Sequence, residues 1–221
     1  LFGGFGALID LGDARTPVFR ARAFQYVDLG EVGAAIAGGS RGASFVSFRN
    51  ALGEARDFAA NRAVYARGGF REALTNRLDT EALVPVVAGS VPVVVRVDRA
   101  QDIRAVLGLK QEFPALRLIL AGAAEGWRVA DEIARARVPV IVWAFDNLPG
   151  RFDQLAATLS NPGRLAAQGV MVAIATGPSE NEGLQARLLP QLAGNVVAQG
   201  LVRVRTASSS TMQTIASSEA S

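Results

Sequence analysis

The chain has 221 residues, of which 50% are hydrophobic and 19% are charged, and its formal net charge at pH 7 is +3. It contains no cysteine and no histidine, which excludes disulfides, thiolate nucleophiles, cysteine-built zinc sites and a Ser–His catalytic pair. No apolar run approaches the roughly 18 residues of a membrane-spanning helix, and arginines alternate with acidic residues along the predicted helices. We therefore expect a globular domain with neither a membrane nor a nucleic-acid partner.

The first 90 residues are the less periodic part of the sequence. One strand is predicted over Ala23–Leu29, and apolar residues at helical spacing predict a helix over Ala43–Arg67. Two further helices are predicted around Phe70–Asn76 and Thr80–Val87. No basic segment precedes an apolar one at the start of the chain, so no signal peptide is predicted. We expect residues 1–90 to complete the domain formed by the rest of the chain or to pack on it.

Residues 91–201 alternate four times between a strand pattern and a helix pattern. β-Branched and apolar runs predict strands over Pro92–Val97, Leu116–Ala121, Val138–Trp143 and Val170–Ala175. Helices are predicted over Ala100–Phe113, Glu125–Ala136, Phe152–Leu159, Arg164–Gln168 and Leu184–Gln199. This alternation predicts an α/β fold in which helices cover a parallel sheet. Polar loops after the strands, and the lack of a glycine fingerprint after the first of them, favour a partial TIM-like (β/α) barrel over an open doubly wound sheet.

The end of the chain differs in composition from the rest. From Thr206 the sequence is rich in Ser and Thr and has no periodicity, which is typical of a disordered tail. The sequence therefore predicts three parts, which are an N-terminal region over residues 1–90, barrel units over 91–201 and a tail over 202–221.

Several segments resemble barrel strands of the amidohydrolase superfamily, and in particular of its imidazolonepropionase-like members. The similar segments are Leu83–Ile103 at the family's fifth strand, Gly122–Ala134 at the sixth, Val138–Val142 with Asp146–Pro149 and Phe152–Asp153 at the seventh, and Leu165–Ile174 with Leu192–Leu201 at the eighth and beyond. Gly38–Arg41 and Asn61–Arg62 also have counterparts in this subgroup. The resemblance implies a (β/α) barrel that hydrolyses carbon–nitrogen bonds in small non-peptide or amide substrates. It also implies one or two divalent metal ions such as zinc, which activate a water molecule.

The chain departs from that family pattern at the positions of the metal ligands. Where the family carries histidine near the end of the fifth strand, this sequence has Arg96 and Asp98. Glu125 and Trp127 stand at the sixth strand, and a polar stretch that begins at Thr176 stands at the eighth. The His-x-His of the first strand has no counterpart. The resemblance therefore implies a hydrolase that is inactive or incomplete as this chain.

Oxygen ligands are the remaining route to a metal site. Without imidazole or thiolate, the acidic side chains that could bind a metal are Asp98, Glu125, Asp146 and Glu180. Such a set suits Mg²⁺, Ca²⁺ or Mn²⁺ and not a histidine-built zinc site. We assign no metal ligand from the sequence, and we expect no cofactor beyond the divalent ions that the resemblance implies.

Asp98 and Glu125 are the candidate catalytic residues, and each has a structural alternative. The Asp98 carboxylate either faces the pocket as a ligand or general base, or caps the helix that begins near Ala100, with Asp102 completing a capping box. Glu125 either contributes to the site or complements the dipole of its own helix. Because strand side chains alternate between faces, Arg96 points into the barrel if Asp98 does. We then expect its guanidinium to pair with Asp98 or Glu125 in place of the metal's charge.

Substrate binding is assigned to polar residues that follow the predicted strands, namely Arg96, Arg99, Asp146, Asn147, Thr176 and Ser179. Asn147 is equally typical of an Asx-turn, and Thr176 and Ser179 of any exposed loop. The glycine-rich stretch Gly38–Gly42 is a weak candidate for an anion-binding nest at the start of a helix.

Three functions are compatible with these features. The first is an amidohydrolase-like hydrolase, and the second is a non-catalytic binding or assembly protein that kept a degenerate barrel scaffold. The third is an α/β domain that binds an anionic metabolite through Arg41, Arg96 and Arg99. The expected partner is a small-molecule substrate or metabolite, and a homo-oligomer is a further expectation.

Overall fold

A computed structural model of the chain describes residues 1–10, 15–68, 73–143, 149–177 and 186–201. The strands are β1 (Phe2–Ile9), β2 (Val18–Asp28), β3 (Val93–Val97), β4 (Leu118–Gly122), β5 (Val140–Trp143) and β6 (Val172–Ala175). The α-helices are α1 (Glu31–Ile36), α2 (Arg41–Ala60), α3 (Arg62–Ala66), α4 (Arg77–Val87), α5 (Ala100–Glu112), α6 (Ala130–Arg135), α7 (Asn161–Ala167) and α8 (Leu189–Ala198). Short 3₁₀ turns lie at Gly126–Val129, Phe152–Gln154 and Ala186–Leu188. Within the described ranges, no helix combines the length and the apolar character that a membrane crossing needs.

The six strands form one curled, half-barrel sheet in the order β1-β2-β3-β4-β5-β6. β1 pairs antiparallel with β2, and every later neighbour pairs parallel. Each parallel strand is added beside the one before it, so the strand order has no reversal of the kind that defines a doubly wound sheet. The mixed α/β class is confirmed, and closure of the sheet into a TIM-like barrel stays a prediction.

Both faces of β3, β4 and β5 are buried. Val93, Val95 and Val97 of β3 pack into the main core with the helices. Their neighbours in the strand point to the opposite face, because side chains alternate along a strand. That opposite face carries a second apolar cluster, formed by Val94, Ile119, Ala121, Ile141, Trp143 and Ala173. We call it the inner face.

Most predicted elements of residues 91–201 are present, whereas the start of the chain differs from the prediction. β1 was not predicted, because its Phe-Gly-Gly-Phe-Gly sequence has weak intrinsic strand preference and forms a strand by pairing with β2. The predicted strand Ala23–Leu29 is the second half of β2. The predicted helix Ala43–Arg67 is divided into α2 and α3 at Asn61, whose φ of −125° and ψ of 32° are not helical.

Two other predicted helices are wrong in the part that the structure describes. Residues 73–76 of the predicted helix Phe70–Asn76 are not helical, because Asn76 caps α4 by accepting a hydrogen bond from the Asp79 N–H at 3.0 Å. Residues 69–72 lie outside the described ranges. Of the predicted helix Phe152–Leu159, one 3₁₀ turn forms, and the N–H of Ala156 donates to a side chain of another element instead. The predicted tail, 202–221, lies outside the described residues.

Candidate functional site

A buried ion pair joins the carboxyl ends of β2 and β3. Asp28 and Arg96 are register partners on these two parallel strands. The Arg96 Nη1 atom donates to Asp28 Oδ2 at 3.1 Å, and the two side chains are 7% and 14% exposed, respectively. The Arg96 guanidinium also lies 5.1 Å from the ring centre of Trp143, a cation–π distance. Arg96 thus occupies the inner face, as the strand alternation predicts, but its partner is neither Asp98 nor Glu125.

Asp28 was not singled out in the sequence, although it organises this end of the sheet. Its Oδ2 atom accepts from Arg96, and its Oδ1 atom accepts from the N–H groups of Gly30 and Gly33 at 2.8 and 3.3 Å. These two donors belong to the start of α1. One carboxylate therefore connects β2, β3 and α1. The parallel register of β2 and β3 brings it to Arg96, and a single sequence does not reveal that register.

Asp98 is buried directly after β3, and it does not cap α5. Its Oδ1 atom accepts from the Ala124 N–H at 3.3 Å, in the loop after β4. The cap residue of α5 is Arg99, which makes no side-chain cap hydrogen bond. The N–H of Ala100 donates to Glu125 instead, at 3.2 Å. The expectation that Asp98 caps this helix is wrong, because its carboxylate accepts from the loop after β4 instead.

Glu125 links two elements that follow different strands. Its Oε2 atom accepts from the Ala100 N–H, and its Oε1 atom accepts from the Ala156 N–H, both at 3.2 Å. The side chain is buried, and both carboxylate oxygens are engaged by the backbone. Glu125 thus acts as a remote cap for α5, and the expectation that it complements its own helix is replaced by this contact.

Arg151 and Asp153, which follow β5 in the chain, complete the group of charged residues at this site. Neither residue was identified as a site residue from the sequence. The Arg151 side chain lies 3.4 Å from Asp153 Oδ1 through Nε and 3.7 Å from Asp98 Oδ2 through Nη2. Asp153 is 1% exposed. A Cβ atom on Gly30 would lie 3.2 Å from Asp28 Oδ1 and 3.5 Å from Asp153 Oδ2, which places both carboxylates beside that glycine. Asp28, Arg96, Asp98, Arg151 and Asp153 are called the polar centre below.

The polar centre carries three carboxylates and two guanidiniums, so a negative charge is left over when all are ionised. Burial raises the pKa of the Asp98 carboxyl to about 6, while its hydrogen bond from Ala124 and the charge of Arg96 oppose the rise. The Asp153 carboxylate raises this pKa further, and Arg151 lowers it. A proton on Asp98 would remove the excess negative charge. Asp98 therefore exchanges a proton closer to neutral pH than an ordinary aspartate does.

Asp98 should make the stability of the chain depend on pH. An unfolded Asp has a pKa of about 3.9, so between about pH 4 and pH 6 the folded chain binds a proton that the unfolded chain does not. The stabilisation is therefore complete below about pH 4 and is lost as the pH rises through 6. Two pKa units correspond to about 3 kcal/mol. We expect Asp98→Asn to remove this dependence.

Urea unfolding of the wild type and the Asp98→Asn variant at pH 4 and pH 7.5 measures the effect. We expect the wild type to lose more stability than the variant over this interval, by up to about 3 kcal/mol. Equal losses in the two proteins would show that Asp98 has an ordinary pKa.

The remaining predicted site residues are dispersed. Arg99 and Thr176 are partly buried, and no described contact joins either to the polar centre. Arg41 pairs with Asp102 through an Nε–Oδ2 distance of 3.0 Å, so its charge is compensated. In the stretch Gly38–Gly42, Ser40 caps α2 by accepting from the Ala43 N–H, which is an ordinary helix start. Asp146, Asn147, Ser179 and Glu180 lie outside the described residues.

The side chains at this site do not fit a catalytic metal ion. Among the described residues, no three acidic, histidine or cysteine side chains are close enough together to hold one. Both carboxylate oxygens of Glu125 already accept hydrogen bonds from backbone N–H groups. Asp98 and Asp153 lie beside the guanidinium of Arg151. Arg96 and Arg151 already supply the positive charge beside these carboxylates that a metal ion would otherwise supply.

Comparisons with known proteins give one structural likeness. No family model matches the chain, and no curated protein matches it. An amidohydrolase from Thermotoga maritima MSB8, known as a crystal structure, matches 90% of this chain with a TM-score of 0.68 and 16% sequence identity. The chain spans about half the length of that protein, since the match covers 51% of it. At this identity the likeness concerns the fold.

Proposed function

We propose that this chain is part of an amidohydrolase-like hydrolase of the imidazolonepropionase-like subgroup, which cleaves carbon–nitrogen bonds in small non-peptide or amide substrates. We propose further that the chain performs no metal-assisted hydrolysis on its own. The fold likeness to an amidohydrolase and the segments that resemble the family's fifth to eighth strands support the first statement. The composition of the polar centre supports the second.

The proposal rests mainly on the contacts of Arg96 and Asp98, the two charged residues at the end of β3. The resemblance places the family's fifth-strand histidine here, and this chain has Arg96 and Asp98. Arg96 is paired with Asp28, and Asp98 accepts from the backbone of Ala124. A guanidinium supplies a fixed positive charge, but it cannot lower the pKa of a bound water as a metal ion does.

What the centre can still do is bind and orient a small polar molecule. Arg96 Nε is buried and has no hydrogen-bond partner among the described residues, so it is a donor available to a carbonyl or carboxylate oxygen. The Trp143 ring beside it offers an apolar surface. Asp98 holds or releases a proton near neutral pH. These three groups support substrate binding on the inner face.

A hydrolysis assay with a binding arm tests the proposal. The purified chain is incubated with N-acyl amino acids and cyclic amides, with added Zn²⁺ or with a chelator, and the products are quantified. We expect no turnover above buffer in any condition. The same compounds should raise the unfolding temperature of the wild type and raise that of Arg96→Lys less, because Lys keeps the charge but has no Nε donor.

Each outcome has a defined meaning. Turnover that the chelator abolishes would contradict the claim that the chain lacks metal-assisted hydrolysis. An equal temperature shift in the wild type and in Arg96→Lys would contradict substrate binding through Arg96. No shift with any amide would favour the alternative of a protein that kept the scaffold without binding a substrate of this class.

A further inference from the structure

The segment Pro149–Ser160, between β5 and α7, buries polar side chains and exposes apolar ones, the reverse of an ordinary surface loop. Its fully buried residues are Asp153 and Gln154, which are polar. Its large apolar side chains face solvent, with Phe152 80% exposed and Leu155 62% exposed. Apolar burial, the usual means of attaching a segment to a fold, therefore contributes little to holding this one in place.

Polar contacts attach the segment instead. The Ala156 N–H donates to Glu125, and the Ala156 carbonyl accepts from Trp127 Nε1 at 2.8 Å. Arg151 contacts both Asp98 and Asp153 at ion-pair distances. Asp98 directly follows β3, so among the described residues this guanidinium provides a charged link between the segment and the sheet.

The two carboxylates beside Arg151 depend on a positive charge. The Asp98 and Asp153 side chains are 0% and 2% exposed, respectively. Asp98 Oδ2 and both Asp153 oxygens lack a hydrogen-bond partner among the described residues. A buried carboxylate oxygen that accepts no hydrogen bond needs an opposite charge close by to offset the cost of its burial. The Arg151 head group meets that need from within the chain.

We propose that Asp98 and Asp153 form a recognition site for a guanidinium or amidine cation. The Arg151 side chain of the same chain occupies this site, and its binding there holds the segment Pro149–Ser160 against the strand ends. A free cation of this class would fill the same position when Arg151 is removed. This inference does not depend on the proposed hydrolase function, because it rests on the contacts of Arg151 and on the burial of Asp98 and Asp153.

Chemical rescue of an Arg151→Ala variant tests the proposal. Hydrogen–deuterium exchange of the Ala156 amide reports whether the segment is attached, since this N–H donates to Glu125 outside the segment. We expect exchange at least about tenfold faster in the variant than in the wild type. Millimolar guanidinium chloride, far below denaturing concentrations, should slow the exchange again, whereas NaCl at the same ionic strength should not.

Matched variants separate recognition from a general salt effect. Arg135→Ala removes an exposed ion pair with Asp131 and should show no response to guanidinium. Adding Asp153→Asn to Arg151→Ala should abolish the rescue. If Arg151→Ala does not fold, Arg151→Gln carries the same test. Exchange that guanidinium leaves unchanged, or that NaCl slows equally, would overturn the proposal.

Discussion

The Arg96→Met variant is expected to lose about 3–5 kcal/mol of the free energy of unfolding. Met has similar length and is expected to pack against Trp143, but it leaves the largely buried Asp28 carboxylate without the charge of Arg96. Breaking one side of a buried ion pair costs more than the pair contributes, because the remaining charge stays desolvated. Asp98, whose pKa Arg96 also lowers, would take up a proton more readily in the variant.

Urea unfolding at pH 7.5 measures this loss, with Arg135→Met as the control. Arg135 pairs with Asp131 four residues earlier in the sequence, and both side chains are largely exposed, at 72% and 62%. We expect the control to be close to the wild type. If Arg96→Met were no less stable than the control, the buried pair would not hold the ends of β2 and β3 together.

The second large effect is expected at Gly122, the last residue of β4. Its φ of +83° favours glycine, and a Cβ atom would lie 2.6 Å from Asp98 Oδ1 and 3.0 Å from Trp143 Cζ3. Gly122→Ala therefore combines backbone strain with displacement of a buried carboxylate and an aromatic ring. We expect a loss of about 2–4 kcal/mol.

Gly169→Ala is the matched control for this variant. Gly169 has the same φ of +83°, but nothing lies within 4 Å of the position of its Cβ atom. Its loss should reflect backbone strain alone, about 1 kcal/mol. Unfolding curves of the two variants under the same conditions give the difference. Equal losses would show that the close approach of Asp98 and Trp143 to Gly122 has no energetic consequence.

The alternation of strands and helices could be predicted from the sequence because both patterns are local. β3 to β6 are short β-branched or apolar runs, and the helices after them carry apolar stripes. β1 could not be predicted in this way. Its glycine-rich sequence becomes a strand through pairing with β2, and pairing is a tertiary interaction.

The polar centre was predictable only in part, for a related reason. Arg96 and Asp98 follow a recognisable strand, and strand alternation gives the face that Arg96 occupies. Their partners come from elsewhere in the chain. Asp28 is 68 residues from Arg96 in sequence and reaches it through parallel register. Asp153 lies in the predicted helix Phe152–Leu159 and Arg151 directly before it, and no local pattern indicates that either belongs to the site.

Glu125 shows that the contacts of a residue can differ from those that its sequence neighbours predict. The sequence places it at the start of a helix, where a carboxylate commonly interacts with its own backbone. In the structure it caps α5 and holds the Ala156 N–H, so it connects two loops at the carboxyl end of the sheet. No local pattern indicates such a bridge, because both donors belong to other elements.

The coupling energy between Arg96 and Asp28 most directly tests the claim that fixed charges organise this centre in place of a metal ion. A double-mutant cycle with Arg96→Met, Asp28→Asn and the double variant measures it from urea unfolding at pH 7.5. We predict a favourable coupling of about 2 kcal/mol or more, with the double variant more stable than the sum of the single losses implies. Additive losses, with a coupling below about 0.5 kcal/mol, would contradict the claim.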